Sequence, residues 1–349
     1  MLRAMAATDH PPRVHDDWYV LAESSELRAR PLARALYDTP IVLFRDARGV
    51  AHALLDRCPH RNVPLSLGAV RGPELECAYH GWRFDGGGTC QAVPGLCRAA
   101  AHPGRRVPSF ATREADGFVW VYGVADEAPA RAPYPLPLAS DARYVTVRQQ
   151  LTMPGSVHAV AENALDVPHT AFVHRGLFRG TGEPSTIEVI VERDATSAVA
   201  EYVGEARPGG LLGRVLGPGG GVVRHFDRFI LPSVAQVEYA LGEHTHLVAT
   251  TLLTPVSDYE TRLYGVFAAR FPFAAPWVAR AVKPLAMRVL RQDVAILGAQ
   301  TAAVRRFGGE RYASTEIDVL GPHIDKLLRR AAAGARDVSP ASHRVTMRA

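Results

Sequence analysis

Over roughly the first third of the chain, hydrophobic positions come in short runs broken by turn residues. The stretch ARALYDTPIVLFRDARGVAHALLDRC alternates apolar runs with the turn Asp46–Ala47–Arg48–Gly49, which predicts a hairpin meander. GWRFDGGGTCQAVPG adds a glycine-rich turn and a proline stop, and EADGFVWVYG reads as one more aromatic, β-branched strand. No 3.6-residue period is sustained between Trp18 and Tyr122, so this region is expected to be all-β. Residues 125–142 carry Pro129, Pro133, Pro135 and Pro137, a density that blocks helix and sheet ladders and predicts an extended connector.

A different pattern follows. YVTVRQQLTM reads as a strand, and 156–176 as partly helical. TIEVIVERD, AVAEYVGEA, HFDRFILPSVAQVEYAL, THLVATTLLTPV and RLYGVFAARF then read as a run of antiparallel strands. After them PWVARAVKPLAMRVLRQDVAILGAQTAAVRRF has helical spacing and strong helix formers, with Pro284 expected to divide or kink it. Helix, sheet, long helix predicts an α+β domain in which a helix grips one face of an antiparallel sheet. The expected segments are an N-terminal all-β domain at 14–124, a connector at 125–142, a helix-grip domain at 143–333 and a tail at 334–349. The loop at Gly217–Gly221 matches no phosphate-binding pattern and is given no cofactor role.

Composition narrows this only modestly. The 349 residues fit two domains, and 47% hydrophobic against 21% charged residues allows a sizeable core. No apolar run is long enough to span a bilayer, and MLRAMAATDHPPR lacks the apolar stretch of a signal peptide. The expectation is a cytoplasmic protein without a membrane segment. Net charge is +5, carried almost wholly by Arg without a dense basic block, so nucleic acid is not expected as a partner. A mildly basic face could still dock an acidic electron donor. Four cysteines, Cys58, Cys77, Cys90 and Cys97, are too few for a disulfide scaffold.

Two of those cysteines sit beside histidines, as Cys58-x-His60 and Cys77-x-x-His80. Two Cys and two His suit tetrahedral zinc, but the usual zinc spacings pair Cys with Cys and His with His. Here each loop carries one of each. Such loops can place their sulfurs on one iron and their imidazoles on another. The stretch Cys58-Pro-His60-Arg, then Cys77-Ala-Tyr-His80-Gly-Trp82, resembles Rieske proteins, which implies Cys58, His60, Cys77 and His80 as ligands of a 2Fe–2S cluster. Respiratory Rieske proteins carry an extra disulfide-forming Cys in each loop, where this chain has Val63 and Tyr79. They also place hydroxyl groups against the cluster where this chain has Trp82 and Phe84. Fewer donors to sulfur imply a low reduction potential. Cys90 and Cys97 are read as ordinary thiols.

Residues 162–174, ENALDVPHTAFVH, hold a second polar set: Asn163, Asp166, His169 and His174. His169 and His174 are five apart, which a regular helix would not place on one face, but Pro168 marks a site for a local distortion. Two imidazoles and a carboxylate form the facial triad of a non-haem Fe(II) oxygenase. Candidate carboxylates are Asp227, Glu238, Asp258, Asp293 and Glu316. Asp258 and Glu260 lie in a turn-like segment, whereas Asp293 sits in an otherwise apolar helix, where a carboxylate is costly unless paired or metal-bound. A salt bridge to Arg288 or Arg291 is the competing reading of Asp293.

Asn-x-x-Asp-x-x-His-x-x-x-x-His is similar to the catalytic motif of Rieske oxygenase α subunits, in particular the vanillate demethylase and pheophorbide a oxygenase-like branch. The resemblance covers most of residues 15–330. It implies His169, His174 and Asp293 as ligands of a mononuclear Fe(II), with Asn163 near the iron. It implies that Asp166 hydrogen-bonds a cluster-ligating His across a subunit boundary in a head-to-tail homotrimer. It also implies a ferredoxin and/or an NAD(P)H-dependent flavin reductase as donor, and O2 with a hydrophobic aromatic or alicyclic small molecule as substrates. Hydroxylation, demethylation, desaturation and oxidative cyclisation share such a site. Val157, Phe172, His225 and Phe226 are pocket-wall candidates. A Rieske electron carrier without catalytic iron and a zinc structural protein are the readings from other classes.

Overall fold

The structure is a computed structural model. It describes residues 10–174, 186–205, 223–242, 245–271, 276–335 and 339–348, without the side chains of 276–283 and 285; the Gly217–Gly221 loop lies outside them. The chain divides into two compact units, His15–Leu136 with Thr254–Ser257, and Met1–Val14 with Pro137–Leu253 and Asp258–Ala349.

The His15–Leu136 unit is all-β, as its broken apolar runs predict. β1 (Trp18–Glu23), β2 (Leu32–Leu36), β3 (Thr39–Arg45), β4 (Ala51–Leu55), β9 (Ser109–Ala115) and β10 (Phe118–Ala125) form one sheet in the order β1-β10-β9-β4-β3-β2. β5 (Ala69–Arg71), β6 (Glu74–Glu76), β7 (Arg83–Phe84) and β8 (Cys90–Ala92) form a second, smaller sheet. Val42, Phe44 and Leu54 from the large sheet pack with Leu75, Phe84 and Cys90 from the small one. The sulfurs of Cys58 and Cys77 lie in that same apolar group.

The glycine-rich turn sits between β7 and β8. Gly88 has φ +80°, and a Cβ there would lie 1.9 Å from the Val107 carbonyl oxygen. Its own carbonyl accepts from Val107 N–H at 2.9 Å, so the two strands of chain cannot simply part. Gly88→Ala is expected to lose roughly 2–4 kcal/mol, combining left-handed backbone strain with a backbone clash. Denaturant unfolding followed through the aromatic signal of this unit reads that loss. A midpoint equal to wild type would show that the turn relaxes freely.

The other unit holds β11 (Val145–Pro154), β12 (Thr186–Arg193), β13 (Ser197–Val203), β14 (Val223–Ile230), β15 (Val234–Leu241), β16 (Thr245–Ser257, apart from its last four residues), β17 (Glu260–Arg270) and β18 (Ala341–Arg348). Its sheet runs β11-β17-β16-β15-β14-β13-β12-β18. HFDRFILPSVAQVEYAL is two strands rather than one, with a turn at Leu231–Ser233 and pairing from Val223↔Leu241 to Ile230↔Val234. The residues read as a tail contain β18, which pairs antiparallel with β12 from Thr186↔Arg348 to Arg193↔Ala341. Its inward Val345 and Met347 are buried, and the polar and charged residues between and around them face out.

One face of the sheet is covered by α1 (Val157–Leu165), α3 (Pro276–Phe307) and α4 (Gly321–Ala332). Ile187, Val189 and Val191 of β12 and Phe229 of β14 pack with Val160 and Leu165 of α1, Leu297 of α3, and Ile324 and Leu327 of α4. α3 runs through Pro284 as one continuous helix, without the expected division, and Pro284 is exposed. The amphipathic α4 was not singled out from the sequence.

Candidate metal centres

In the His15–Leu136 unit the two Cys/His loops share a backbone plan. Cys58 N–H donates to Val63 O at 2.9 Å, and Cys77 N–H to Trp82 O at 2.8 Å. In return Asn62 N–H reaches Cys58 O at 2.9 Å, and Gly81 N–H reaches Cys77 O at 3.1 Å. The closing residue of each loop is left-handed, Asn62 at φ 62° and Gly81 at φ 67°. Asn and Gly are the residues that tolerate this conformation. Two equivalent loops thus place Cys58 and Cys77 side by side in the apolar group.

Burial, with the Cys77 thiol beside it, pushes the Cys58 thiol up to about 11, although backbone N–H groups of His60 and Arg61 point at its sulfur. A buried pair of thiols served by amide donors is arranged for thiolates and the cations that hold them. The imidazoles of His60 and His80 lie 4.5 Å apart, and His60 stacks on Trp82 at 4.7 Å. His60 Nδ1 is buried without a hydrogen-bond partner. A tetrahedral zinc site would draw its four donors within about 4 Å of one another. Among the described residues no three of these four groups lie within 4.8 Å of one another. That spread suits two irons better than one zinc.

Phe84 is fully buried in the same group as the two sulfurs and brings no hydroxyl to them. A neutral hydrogen bond of about 1 kcal/mol corresponds to roughly 40 mV in a one-electron couple. Phe84→Tyr is therefore expected to raise the cluster potential by roughly that amount, read by a spectroscopic redox titration. An unchanged potential, with the cluster spectrum retained, would remove the missing hydroxyl as a cause.

In the other unit α1 starts at Ser156, whose Oγ accepts from Ala159 N–H at 3.1 Å, and stops at Asp166. Pro168 has no N–H and holds the residue before it out of the helical region. The chain then makes one further turn, α2 (Thr170–Val173), with His169 and His174 at its two ends. This is the distortion that a spacing of five requires. His169 Nε2 and His174 Nε2 come within 3.2 Å of each other. Asp293 Oδ1, from α3, lies 3.1 Å from His174 Nε2 and 3.7 Å from His169 Nε2.

The outward nitrogens are held in turn. His169 Nδ1 donates to the Asp166 carbonyl, and His174 Nδ1 lies 3.0 Å from Gln292 Oε1. With both Nδ1 atoms used as donors, both Nε2 lone pairs face the point that Asp293 faces. Asp293 Oδ1 is buried and lacks a hydrogen-bond partner of good geometry. A buried carboxylate opposed to two imidazole lone pairs is costly unless a cation or protons sit among them. Burial lowers the His169 pKa, but Asp166 and Asp293 outweigh it and hold the imidazole at about 9, so a metal entering here displaces a proton. These three residues are the one such group of metal-ligating side chains among the described residues.

The other candidate carboxylates go elsewhere. Asp227 pairs with His225 at 3.0 Å, Glu238 with Arg228 and His246, and Asp258 with Arg13 at 2.7 Å. Glu316 is exposed, and no ion pair joins Asp293 to Arg288 or Arg291 among the described residues. Asn163 is half-buried on α1. Of the pocket candidates, Val157 and His225 face the helix-covered side of the sheet. Phe226 alternates to the other side with Arg228, whose guanidinium covers its ring at 4.8 Å, and Phe172 is 70% exposed. Gln292 was not anticipated; its only signal is its place directly before Asp293.

The Rieske 2Fe–2S domain family matches residues 17–110, and the vanillate O-demethylase oxygenase C-terminal domain family matches residues 153–334. The chain belongs to the Rieske oxygenases of the vanillate O-demethylase type. A Rieske cluster domain and a catalytic domain with a mononuclear iron site go with that family, and the reading as an electron carrier without catalytic iron finds no support.

The oxygenase component of dicamba O-demethylase from Stenotrophomonas maltophilia is 38% identical over 165 residues, covering 46% of this chain and 48% of that protein. The vanillate O-demethylase oxygenase subunit of a Pseudomonas species is 32% identical over 158 residues, covering 45% and 44%. The aligned part of this Rieske oxygenase thus spans about half the length of these curated relatives. Over the fold the likeness is longer. Dicamba monooxygenase bound to 3,6-dichlorosalicylic acid superposes with a TM-score of 0.78 at 25% identity, covering 92% of this chain and 98% of that one.

Proposed function

We propose that this Rieske oxygenase is the terminal component of a monooxygenase system. It hydroxylates or demethylates a hydrophobic aromatic or alicyclic small molecule, using O2 and externally supplied electrons. The observation that carries the reading is the convergence of His169 Nε2, His174 Nε2 and Asp293 Oδ1 on one point. Relatives named for dicamba, vanillate and toluene-4-sulfonate favour an aromatic acid or ether as substrate.

In this reading Cys58, His60, Cys77 and His80 hold the 2Fe–2S cluster, and His169, His174 and Asp293 hold Fe(II). Bound there, the iron supplies O2 activation beside the substrate. The chain supplies the geometry. The Asp166 carbonyl and Gln292 fix the two imidazole rings, and Asp293 adds one negative charge to the centre. The Asp166 carboxylate accepts from His169 N–H at 3.1 Å and keeps 30% of its side chain exposed. That leaves it open to a cluster-ligating His of a neighbouring chain in a head-to-tail homotrimer. Asn163, one helical turn before Asp166, lies in this reading near the iron without being a ligand.

The donor is a ferredoxin and/or an NAD(P)H-dependent flavin reductase. Among the described residues no helix is long and apolar enough to cross a membrane. Free Cys90 and Cys97 suit a reducing compartment such as the cytoplasm.

The test is turnover of the iron-loaded protein with a surrogate ferredoxin and reductase, over a panel of methoxylated and alkylated aromatic acids and alicyclic compounds. The expected result is hydroxylated or demethylated product at least equal to the peroxide released. Peroxide alone across the panel, from protein with a full iron complement, would count against an aromatic or alicyclic substrate.

A further inference from the structure

A second buried cluster of titratable groups lies on the helix-covered face of the same sheet. Tyr202, His225 and Tyr239 are direct cross-strand neighbours on β13, β14 and β15. The His225 ring is stacked between the two tyrosines, 4.3 Å from Tyr202 and 3.9 Å from Tyr239. Both of its nitrogens face carboxylates, Nδ1 on Glu205 at 2.7 Å and Nε2 on Asp227 at 3.0 Å. The Tyr202 hydroxyl lies beside Asp227 at the far end. Packing alone gives no reason to bury so many polar groups in a row.

Exposure along the row is graded. The Glu205 side chain keeps 19% of its surface, while His225 keeps 1% and Asp227 2%. Tyr202 is also buried, and Leu165, immediately before Asp166, packs in the same core cluster as Tyr202. Burial first, and then the Asp227 carboxylate, hold the Tyr202 hydroxyl well above its ordinary pKa, with Asp166 the smallest contributor. The row therefore has a solvent end at Glu205 and a buried end at Tyr202, in the core cluster that also holds Leu165, the residue before Asp166.

We propose that Glu205, His225, Asp227 and Tyr202 form a proton relay that supplies the iron centre during turnover. The inference rests on the oxygenase reading above. That reaction needs protons: substrate C–H, O2, two electrons and two protons give C–OH and one water. The electrons come from the external donor, and the protons must cross a buried domain. Tyr202 gives up its O–H proton at the interior end and regains one from the Asp227 side. Asp227 takes it from His225 Nε2–H, and His225 is recharged at Nδ1 through Glu205.

Burial opposes charge on His225, but Asp227 and Glu205 outweigh it and raise its pKa to about 9. Among the described residues the groups facing it are these two carboxylates and the two tyrosines. The relay is thus loaded below that pKa and empties as pH rises through it.

The first test uses the metal-free protein. Its His225 imidazole should show both nitrogens protonated by 15N NMR at pH 8, and Asp227→Asn should abolish that state. The second uses the iron-loaded enzyme. Tyr202→Phe should keep the iron, the cluster spectrum and KM, lose on the order of 10²-fold in product formation, and release peroxide instead. Glu205→Gln should move the alkaline limb of the rate profile down by about one pH unit, since one opposing charge is gone.

A singly protonated His225 at pH 8 would overturn the relay. So would a Tyr202→Phe enzyme with wild-type rate and coupling, or one whose only defect is lost iron or a raised KM. If the oxygenase reading itself fails, the wild-type protein will bind no mononuclear iron, which iron analysis shows before any variant is compared.

Discussion

His169→Ala should reduce the iron bound per chain from about three atoms to about two and abolish substrate oxidation, leaving the Rieske absorption unchanged. The geometry makes the loss specific. His169 is one of three donors, with Nε2 3.2 Å from His174 Nε2 and 3.7 Å from Asp293 Oδ1. The remaining pair would be too few for a facial site that also leaves positions open for O2. The fold should survive, because His169 lies at the end of one short helical turn whose residues are not fully buried. Asp293→Asn is the sharper companion. It preserves shape on α3 but removes the negative charge at a centre where the carboxylate Oδ1 has no alternative partner. Metal affinity should fall at least about 10- to 100-fold, the range seen for disturbances one shell further out. Iron analysis and product formation on the same preparation check both. A His169→Ala protein that keeps its third iron and its activity would end the assignment.

Much of this centre was legible because the carboxylate choice reduces to compensation. Asp227 is buried even more fully than Asp293, so burial alone could not pick out Asp293. The structure separates them by partners: Asp227 is neutralised by His225, whereas Asp293 faces two imidazoles. A clue stood in the text of β14, where His225 and Asp227 are two apart and so share a face. The spacing of five between His169 and His174 was read as needing a distortion at Pro168, and the chain breaks there. Gln292 was illegible because a residue that orients a ligand leaves no spacing of its own.

Local pattern was less informative where an element depends on distant pairing. The alternation of Val345 and Met347 in β18 is only two residues long and is surrounded by charge. Such a segment becomes a strand because β12 offers it an edge, and β12 is about 150 residues away in sequence. The opposite case is the merged HFDRFILPSVAQVEYAL. Its apolar and polar residues alternate on both sides of Leu231–Ser233, so the period hid a turn that Pro232 and Ser233 could have marked. Phe226 was misplaced for a related reason. One step along a strand exchanges faces, and His225 and Phe226 cannot line the same wall.

Cys77→Ser should give the complementary iron count, about one per chain instead of three, with the Rieske absorption gone and no turnover driven by a reductase. Cys77 is 3% exposed and packs with Leu75, Phe84 and Val107. A serine hydroxyl is a poor ligand for this kind of cluster, and in that apolar group it is also a polar atom in want of a partner, worth about 1–3 kcal/mol. Without the cluster, the two loops would depend mainly on the Cys58–Val63 and Cys77–Trp82 backbone pairs and their return bonds. A loss of about 2 kcal/mol should lower the melting temperature of this unit by on the order of 10 °C. His169, His174 and Asp293 all belong to the other unit, so the iron there should remain. The pair of variants therefore divides the molecule: one keeps the electron inlet and loses the consumer, the other keeps the consumer and loses the inlet. If Cys77→Ser protein retained the visible spectrum, the sulfur would not be a ligand, and the apolar group around it would be an ordinary core.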